Sequence, residues 1–364
     1  MELISSPRMS GSFIKIFWIT VGWTFVALYK FLSGYVTILD PKFQCDHASL
    51  DISLYLKSTL VAGIVVGLIG GSVVVLTWEK WLRTKSYGRA LGSIFWSYTV
   101  IYLVVSLISG FFFQSGLLDL SIGNSQLWQA VITQMLNIET LENFLFWLLI
   151  LIGTLVILQV NDKYGPGVFR SFLLGKYFHP KKEERIFMFL DLRSSTSIAE
   201  KLGNASYFNF LKEVFQDATP SILHAKGEIY QYVGDEIVIS WKTSKGSEDA
   251  NCIQCFYNIQ HALQSKAEYY QKKYGQVPEF KAGLHNGDVI AGEIGVVKRE
   301  IAFSGDVLNT TSRIQEQCNA LGVNILLSKF LLDKLPLSTD AFTPKWMGDI
   351  VLRGKEQSLA LYTV

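Results

Sequence analysis

The sequence predicts a multi-span α-helical membrane domain followed by a soluble α+β domain. Nearly all the long apolar stretches lie in the first 162 of 364 residues. Only 18% of the residues are charged, which is expected when part of a chain lies outside water. From residue 185 onward, short strand patterns alternate with amphipathic helical patterns. We therefore divide the chain into a four-span domain (1–162), a linker or coupling helix (163–184) and a soluble domain (185–364).

Four segments are long enough to cross a hydrocarbon core, which takes about 20 apolar residues. They are residues 13–39, 58–78, 90–113 and 144–160. Lys15 and Lys30 in the first segment have side chains long enough to extend to the membrane surface. A cleavable signal peptide is not predicted, because the first segment is too long and lacks a small-residue cleavage site. No cluster of charges inside the spans indicates a transport path, so we expect the spans to face membrane lipid.

The basic residues of the short loops predict the orientation of the spans. The loop between the second and third spans (79–90) and the segment after the fourth span are rich in lysine and arginine. The connection after the first span (40–51) is instead rich in aspartate. We expect a multi-pass protein of the cell membrane (inner or plasma), with its N-terminus and its soluble domain in the cytoplasm. Within the third connection, 127–141 is predicted as an amphipathic helix on the outer surface.

The linker begins with a helix-breaking sequence, Gly165, Pro166 and Gly167, at the membrane surface. Residues 168–178 follow with apolar residues at helical spacing. They form either a passive spacer or an element through which the membrane part, with a ligand or partner of its own, biases the soluble part.

The charge and the cysteines exclude several classes of protein. A formal net charge of +2 gives no indication of nucleic-acid binding. Four cysteines are too few for a disulfide framework. We interpret Cys252 and Cys255 as half-buried apolar residues of a helix. Cys45, outside the membrane, could pair with its copy in a second chain.

Two carboxylates of the soluble domain stand at the ends of strand patterns. "RIFMFLDL" (185–192) predicts a strand with Asp191 near its end. "EIYQYVGDEIVISW" (228–241) predicts two strands around a tight turn that contains Asp235. If these strands are neighbours, both carboxylates lie at one edge of a sheet. Two hard oxygen ligands with further coordination positions free suit Mg²⁺ or Mn²⁺.

Two helix starts offer partners for a nucleotide. "SSTS" (194–197) opens a helix whose free N–H groups suit phosphate, with Ser194, Ser195 and Thr196 in its first turn. In "FSGDVLNTTSRI" (303–314), Asn309 and Arg313 are four residues apart on a predicted helix, so they share one face. An amide and a guanidinium there suit a ribose and a phosphate. Taken singly, each pattern also fits a turn, a cap or a solvated helix face.

The remaining patterns complete a largely antiparallel sheet with helices against it. Residues 247–275 are predicted as one long amphipathic helix. Residues 279–295 are predicted as two strands, and a final strand pair follows the helix that begins at Asp306.

Residues 184–364 resemble the class III nucleotidyl cyclases, the adenylyl and guanylyl cyclases, in a form of bacterial type. The resemblance is carried by "FLDLRSST", "YVGDEI", "GLHNGDVIAGEIG", "GDVLNTTSR" and "VLRGK", in the family's order. Asp191 and Asp235 are 44 residues apart (235 − 191), which is similar to the spacing of the family's metal-binding pair. The resemblance implies a ferredoxin-like βαββαβ core. It also implies a homodimer with two equivalent sites, each straddling the interface.

The resemblance also implies a role for each site residue. Two divalent ions, Mg or Mn, would be held by Asp191, Asp235 and the backbone carbonyl of Leu192. Arg313 of the other chain would stabilise charge on the α-phosphate, and Asn309 would orient the ribose. Arg353 in "VLRGK" stands where the family usually has a phosphate-gripping lysine, and Lys355 is the alternative.

At the two positions that select the purine in this family, this chain has neither the usual residues of adenylyl cyclases nor those of guanylyl cyclases. Gln231 stands where adenylyl cyclases commonly have Lys and guanylyl cyclases commonly have Glu. Ala302 stands where adenylyl cyclases commonly have Asp or Thr and guanylyl cyclases commonly have Cys. Glutamine both donates and accepts, so it suits either purine, and Ser304 could complete the contact. We predict an adenylyl cyclase that makes cyclic AMP and pyrophosphate from ATP. The alternatives are a guanylyl cyclase, an inactive nucleotide-binding scaffold, or a transporter with a regulatory domain.

Overall fold

The computed structural model describes residues 7–39, 52–118, 120–121, 123–164, 175–297, 299–336, 342–354 and 357–364. The chain separates into two compact units, residues 1–163 and 164–364, and each is described by itself. Four of the sequence-based expectations fall wholly or mostly outside the described residues. They are the helix break at residues 165–167, the helical spacing of residues 168–178, the phosphate contact of Lys355, and the intermolecular pairing of Cys45.

The regular secondary structure in the described part of the first unit is helical. Its helices are α1 (Pro7–Leu39), α2 (Ile52–Val73), α3 (Glu79–Thr84), α4 (Tyr87–Leu118), α5 (Ser125–Met135) and α6 (Ile138–Tyr164). One π-helical turn, Val74–Trp78, joins α2 to α3. Four helical segments are long and apolar enough to cross a membrane: Gly11–Val36, Thr59–Leu82, Tyr87–Ser115 and Ile138–Asp162. The four predicted spans are confirmed as helices of this kind.

The predicted surface helix at 127–141 is wrong in its second half. Helix α5 ends at Met135, with Asn124 as its N-cap, and a turn follows. Residues 138–141 instead begin α6, where the side chain of Thr140 donates to the carbonyl of Gln134 at 2.7 Å. This contact fixes the turn between the two helices, so the fourth span begins earlier than predicted.

Polar side chains inside the first unit are paired between helices. Lys15 lies near one end of the first apolar helical segment. Its Nζ lies 2.6 Å from Oε1 of Glu79 and 3.5 Å from Oδ1 of Asp162, which joins the ends of three helices. Lys30 contacts Asn143 and lies 4.8 Å from the centroid of the Phe146 ring. Pairing of this kind lowers the cost of polar groups in an apolar environment.

The second unit contains one eight-stranded sheet. Its strands are β1 (Lys181–Leu192), β2 (Glu228–Val233), β3 (Glu236–Lys242), β4 (Phe280–Ile294), β5 (Glu300–Ser304), β6 (Ile325–Ser328), β7 (Lys345–Val351) and β8 (Ser358–Thr363). The order is β2-β3-β1-β4-β6-β8-β7, with β5 paired to β4. Among the described strands only β4 and β6 pair in parallel. The order β2-β3-β1-β4 and the intervening helices confirm the α+β fold with a ferredoxin-like core.

Residues 280–294 form one strand, not the two that the sequence predicted. The "NGD" at 286–288 resembles a hairpin turn, but it lies inside the β1–β4 ladder, where Gly287 stands opposite Arg185. Strand β1 covers one edge from Phe280 to Ala291, while β6 and β5 share the other edge. These ladders hold the chain extended through Gly287.

The helices of the second unit are α7 (Ser195–Leu202), α8 (Asn204–His224), α9 (Thr243–Ser247), α10 (Asn251–Gln264), α11 (Ala267–Tyr274), α12 (Asp306–Leu321) and α13 (Lys329–Leu332). The single helix predicted for 247–275 is wrong, since the chain turns at Ser265 and Lys266. The turn lets Tyr270 and Tyr274 of α11 pack edge-on against Phe210 of α8. Cys252 and Cys255 are fully buried in the core rather than half-buried.

Helix α12 lies closest to the sheet at Gly283 of β4. A Cβ atom on Gly283 would stand 2.4 Å from the backbone nitrogen of Gln315 and 2.7 Å from its Cα. Real Cβ atoms do not approach backbone atoms this closely. Ala282 and Leu284 belong to the main core, so alternation directs position 283 to the opposite face of the sheet. A glycine here is therefore required for α12 to reach its place.

We expect Gly283→Ala to lower the stability of the soluble domain by about 1–3 kcal/mol, because the helix must move away from the strand. In thermal unfolding of the full-length protein in detergent, this corresponds to a fall of about 5 °C in Tm. Gly292→Ala on the same strand is the control, since a Cβ there meets only ordinary contacts at 3.5 Å. Equal melting of the two variants would contradict the close approach of α12.

Candidate active site

The carboxylates of Asp191 and Asp235 come together at one edge of the sheet. Strand β3 runs antiparallel beside β1, and Asp191 stands opposite Glu236. The β2–β3 turn, with Gly234 in the left-handed region at φ 62°, therefore places Asp235 beside the end of β1. The side chain of Asp191 is partly exposed, at 23%, so its carboxylate remains accessible.

Negative charge is concentrated at this edge. Burial raises the pKa of Asp191, and the charge of Asp235 acts in the same direction. Burial also raises the pKa of Glu236 to about 7, with further contributions from the two aspartates. Neighbouring carboxylates repel one another, so they favour the binding of a divalent cation, which neutralises their charges together.

Two side chains that the sequence did not indicate contact Asp191. Lys281 Nζ lies 3.0 Å from Oδ2, and Gln315 Nε2 donates to the same oxygen at 3.0 Å. Lys281 stands directly opposite Asp191 in the β1–β4 ladder, and Gln315 extends from α12. Both contacts depend on long-range register and on the rotation of a helix. No local sequence signal reports either of them.

The donor set at this edge fits a divalent metal. Two carboxylates can act with the backbone of Leu192, whose side chain is buried and so leaves only its main chain for the site. The described residues contain no group of three His, Cys, Asp or Glu side chains arranged to hold an ion without help. Mg²⁺ is commonly bound by one or two carboxylates together with substrate phosphates and water. The pair therefore suits a metal that arrives with a polyphosphate.

The helix start at residues 194–196 lies next to the carboxylate pair. Ser194 is in the left-handed region at φ 54°, and this turn directs the chain from β1 into α7. Ser195 hydrogen-bonds Tyr207, whose pKa is raised by burial and by the charges of Asp235 and Asp191. Ser194 and Thr196 are exposed. The first turn of α7 thus presents its N–H groups close to the predicted metal position.

Asn309 and Arg313 lie on α12, away from the carboxylate pair of their own chain. Gln315 marks the side of α12 that faces Asp191. At 100° per residue, Arg313 is rotated by about 160° and Asn309 by about 120° from Gln315. Asn309 is exposed, and Arg313 is partly exposed. The structure therefore brings these two residues together on one face but does not bring them to Asp191.

The turn that contains Arg353 lies against Arg313. A Cβ atom on Gly354 would stand 3.5 Å from Nη2 of Arg313, so the turn after β7 contacts the guanidinium. Arg353 itself is exposed at this turn. The two arginines thus form one basic edge.

The strands that carry Gln231 and Ala302 also meet. The β2–β3 register shifts between Ile229 and Gln231, so Tyr230 is an extra residue at a β-bulge. The hydroxyl of Tyr230 accepts from the backbone N–H of Phe303 at 3.4 Å, and the two ring centroids are 5.0 Å apart. Tyr232 stacks on Phe215 on the helix side of the sheet, so alternation puts Gln231 on the other face. That face also carries Tyr230 and Phe303. Ser304 is exposed, next along β5.

The sheet and the site residues lie within a domain that matches a known family. Residues 179–364 match the family described as the adenylate and guanylate cyclase catalytic domain. The chain therefore belongs to this family. The match includes the whole eight-stranded sheet and every site residue described above.

Two curated relatives and one solved structure are similar to this chain. Adenylate cyclase 2 of Rhizobium meliloti (strain 1021) is 37% identical over 225 residues, which cover 61% of this chain and 61% of that protein. An adenylate cyclase of Anabaena cylindrica is 26% identical over 183 residues, 49% of this chain and 36% of its own length. The chain thus spans about three fifths of the first relative and about one third of the second. A bacterial light-regulated adenylyl cyclase has the same fold, with a TM-score of 0.52 and 19% identity over 63% of this chain and 66% of that one.

Proposed function

We propose that this protein is a membrane-bound adenylyl cyclase that converts ATP to cyclic AMP and pyrophosphate as a homodimer. One observation carries the proposal. A carboxylate pair suited to a metal–polyphosphate lies at one sheet edge, while the matching amide and guanidinium lie on the opposite side of α12. Neither half is sufficient for phosphoryl chemistry. Two chains related by a twofold axis would complete two equivalent sites. The adenylate cyclase relative at 37% identity supports ATP as the substrate.

Each site residue has a role that follows from its chemistry. Asp191, Asp235 and the Leu192 carbonyl would hold Mg²⁺ or Mn²⁺ at the end of β1. Bound there, divalent ions neutralise the triphosphate and lower the pKa of the ribose 3′-hydroxyl. The N–H groups of the α7 start, at Ser194, Ser195 and Thr196, would donate hydrogen bonds to phosphate oxygens.

The second chain would supply the groups that act on the reacting atoms. The 3′-oxygen attacks the α-phosphorus, the bond to the bridging oxygen of pyrophosphate breaks, and the hydroxyl proton leaves to solvent. Arg313 would stabilise the charge on the α-phosphate as this occurs, and Asn309 would hold the ribose in line. Arg353, beside Arg313, would grip the outgoing phosphates.

The membrane part would place the catalytic domain in the cytoplasm. Residues 79–90, which connect the second and third predicted spans, contain Lys80, Arg83, Lys85 and Arg89, in agreement with the positive-inside rule. With four spans, the N-terminus and the catalytic domain lie on the same side. We take residues 163–184 as the coupling segment, since they run from the end of α6 into the first residues of β1.

Replacement of Asp191 separates an enzyme from an inactive scaffold. We expect Asp191→Ala in the full-length protein to lower cyclic nucleotide formation by at least ~100-fold, since a metal ligand is lost. Asp333→Ala is the control, because among the described residues this exposed aspartate forms an ion pair with Lys329 in the same turn. Equal turnover by Asp191→Ala and the wild type would exclude the proposed metal site. A protein that signals equally well with and without Asp191 would be a nucleotide-binding scaffold.

A further inference from the structure

A buried arginine links the strands of the purine positions to the start of the catalytic domain. Arg185 lies near the beginning of β1 and is only 1% exposed. Its guanidinium contacts Glu228 of β2, lies 3.5 Å from Glu183, and has its carbon 4.5 Å from the ring centroid of Phe303 on β5. We propose that Arg185 is a positioning residue for purine selection. It sets the distance between Gln231 and Ala302, and the inference rests on the proposed cyclase function.

The contacts of Arg185 explain why a charge is buried at this position. A buried guanidinium needs partners, and here it has two carboxylates and the face of an aromatic ring. Lysine offers a single point charge and cannot satisfy a fork of carboxylates while it stacks on Phe303. Among the described residues, Nε of Arg185 has no hydrogen-bond partner, so the ring contact takes the place of a third bond. The arginine therefore joins β1, β2 and β5 at one point.

An aromatic cluster connects Arg185 to the strands that carry Gln231 and Ala302. The Phe303 ring lies 5.6 Å from Phe187 and 5.0 Å from Tyr230, measured between centroids. The Tyr230 hydroxyl accepts from the N–H of Phe303, which ties β2 to the backbone of β5. Gln231 follows Tyr230, and Ala302 precedes Phe303, in the sequence. Whatever fixes Tyr230 and Phe303 therefore fixes the backbone that carries both purine positions.

The same network reaches the point where the chain comes into the domain. Glu183, next to Arg185, accepts from the hydroxyl of Tyr177 at 3.1 Å, and Lys176 Nζ lies 2.6 Å from that hydroxyl. The Tyr177 carbonyl also accepts from the N–H of Glu293 on β4 at 3.1 Å. Tyr177 is buried and lies four residues before the start of β1. A chain of contacts thus connects the purine-facing strands β2 and β5 to Lys176 and Tyr177, which come before β1 in the sequence.

Arg185 is far from the metal position on the same strand. Asp191 is six residues further along β1 (191 − 185), and a strand rises about 3.3 Å per residue, which gives about 20 Å. Loss of Arg185 should therefore alter the recognition of the base and leave metal binding unchanged. A general loss of structure would alter both.

The test compares Arg185→Met with the wild type in the full-length protein, with ATP and GTP as separate substrates and Mn²⁺ varied. We expect the KM for ATP to rise ~10-fold and the ATP-to-GTP ratio of kcat/KM to fall ~10-fold, with kcat within ~3-fold of wild type. The Mn²⁺ concentration that gives half-maximal activity should not change. Arg185→Lys should recover only part of the selectivity. Lys182→Met is the control, because Lys182 is an exposed residue of β1 paired with Asp288.

Two smaller substitutions test the inference if the Arg185→Met protein does not fold. Tyr230→Phe removes only the hydroxyl that accepts from Phe303, and Tyr177→Phe removes only the hydroxyl that contacts Glu183. We expect a fall in the ATP-to-GTP ratio for both. An unchanged ratio in Tyr230→Phe, or a folded Arg185→Met that loses kcat while the ratio stays constant, overturns the inference.

A nucleotide-binding measurement distinguishes failure of the inference on Arg185 from failure of the proposed function. Competition of ATP and GTP against a fluorescent ATP analogue reports base preference without turnover. If the wild type binds nucleotide but forms no cyclic product, the proposed function fails. The shift in binding preference in Arg185→Met then still tests the inference.

Discussion

A mixture of Asp191→Ala chains and Arg313→Ala chains should recover about a quarter of wild-type turnover, although each variant alone is almost inactive. Each variant alone is expected to lose at least ~100-fold, because every site lacks either a metal ligand or the guanidinium. In a random mixture about half the dimers are heterodimers, and each of these has one intact site out of two. The expectation follows from α12, where Gln315 faces the chain's own Asp191 and Arg313 faces away.

The matched control is a mixture of Asp191→Ala and Asp235→Ala chains. Both carboxylates belong to the same half-site, so no heterodimer contains an intact pair. This mixture should remain as inactive as its parents. Recovery in both mixtures, or in neither, would contradict a site shared between two chains.

Replacement of the two purine-facing residues should change the preferred substrate. We expect Gln231→Glu with Ala302→Cys to raise the GTP-to-ATP ratio of kcat/KM by at least ~100-fold. A carboxylate only accepts hydrogen bonds, which suits the donors of guanine and repels the ring acceptor of adenine. The structure supports a paired effect, since the bulge at Tyr230 and the contact with Phe303 hold the two strands together.

The reciprocal variant, Gln231→Lys with Ala302→Thr, serves as the control for this exchange. It should keep ATP as substrate and reject GTP more strongly than the wild type does. Cyclic nucleotide measured for both variants with both substrates checks the prediction. If both double variants keep the wild-type ratio, these positions do not contact the base.

The sequence predicted those residues of the site whose positions depend on local patterns. Asp191 ends a buried strand, and Asp235 lies in a turn whose glycine has a positive φ. Both signals occupy a few consecutive residues. Asn309 and Arg313 are likewise placed on one helix face by their spacing alone.

The residues that the sequence did not predict depend on contacts between distant segments. Lys281 meets Asp191 only because of the register between β1 and β4, and Gln315 only because α12 packs against Gly283. The "NGD" of β4 was taken for a turn because a local pattern does not show that these residues pair with the distant strand β1. The network around Arg185 joins three strands and is equally invisible to local patterns.

The most direct test of the central claim is the product formed by the purified full-length protein. ATP and GTP would be supplied separately, each with Mg²⁺ or Mn²⁺, and the products identified by mass spectrometry. We predict cyclic AMP and pyrophosphate from ATP, at a rate well above that of cyclic GMP from GTP. Cyclic GMP as the main product would make the protein a guanylyl cyclase. A folded dimer that forms neither product would contradict the assignment of a cyclase active site.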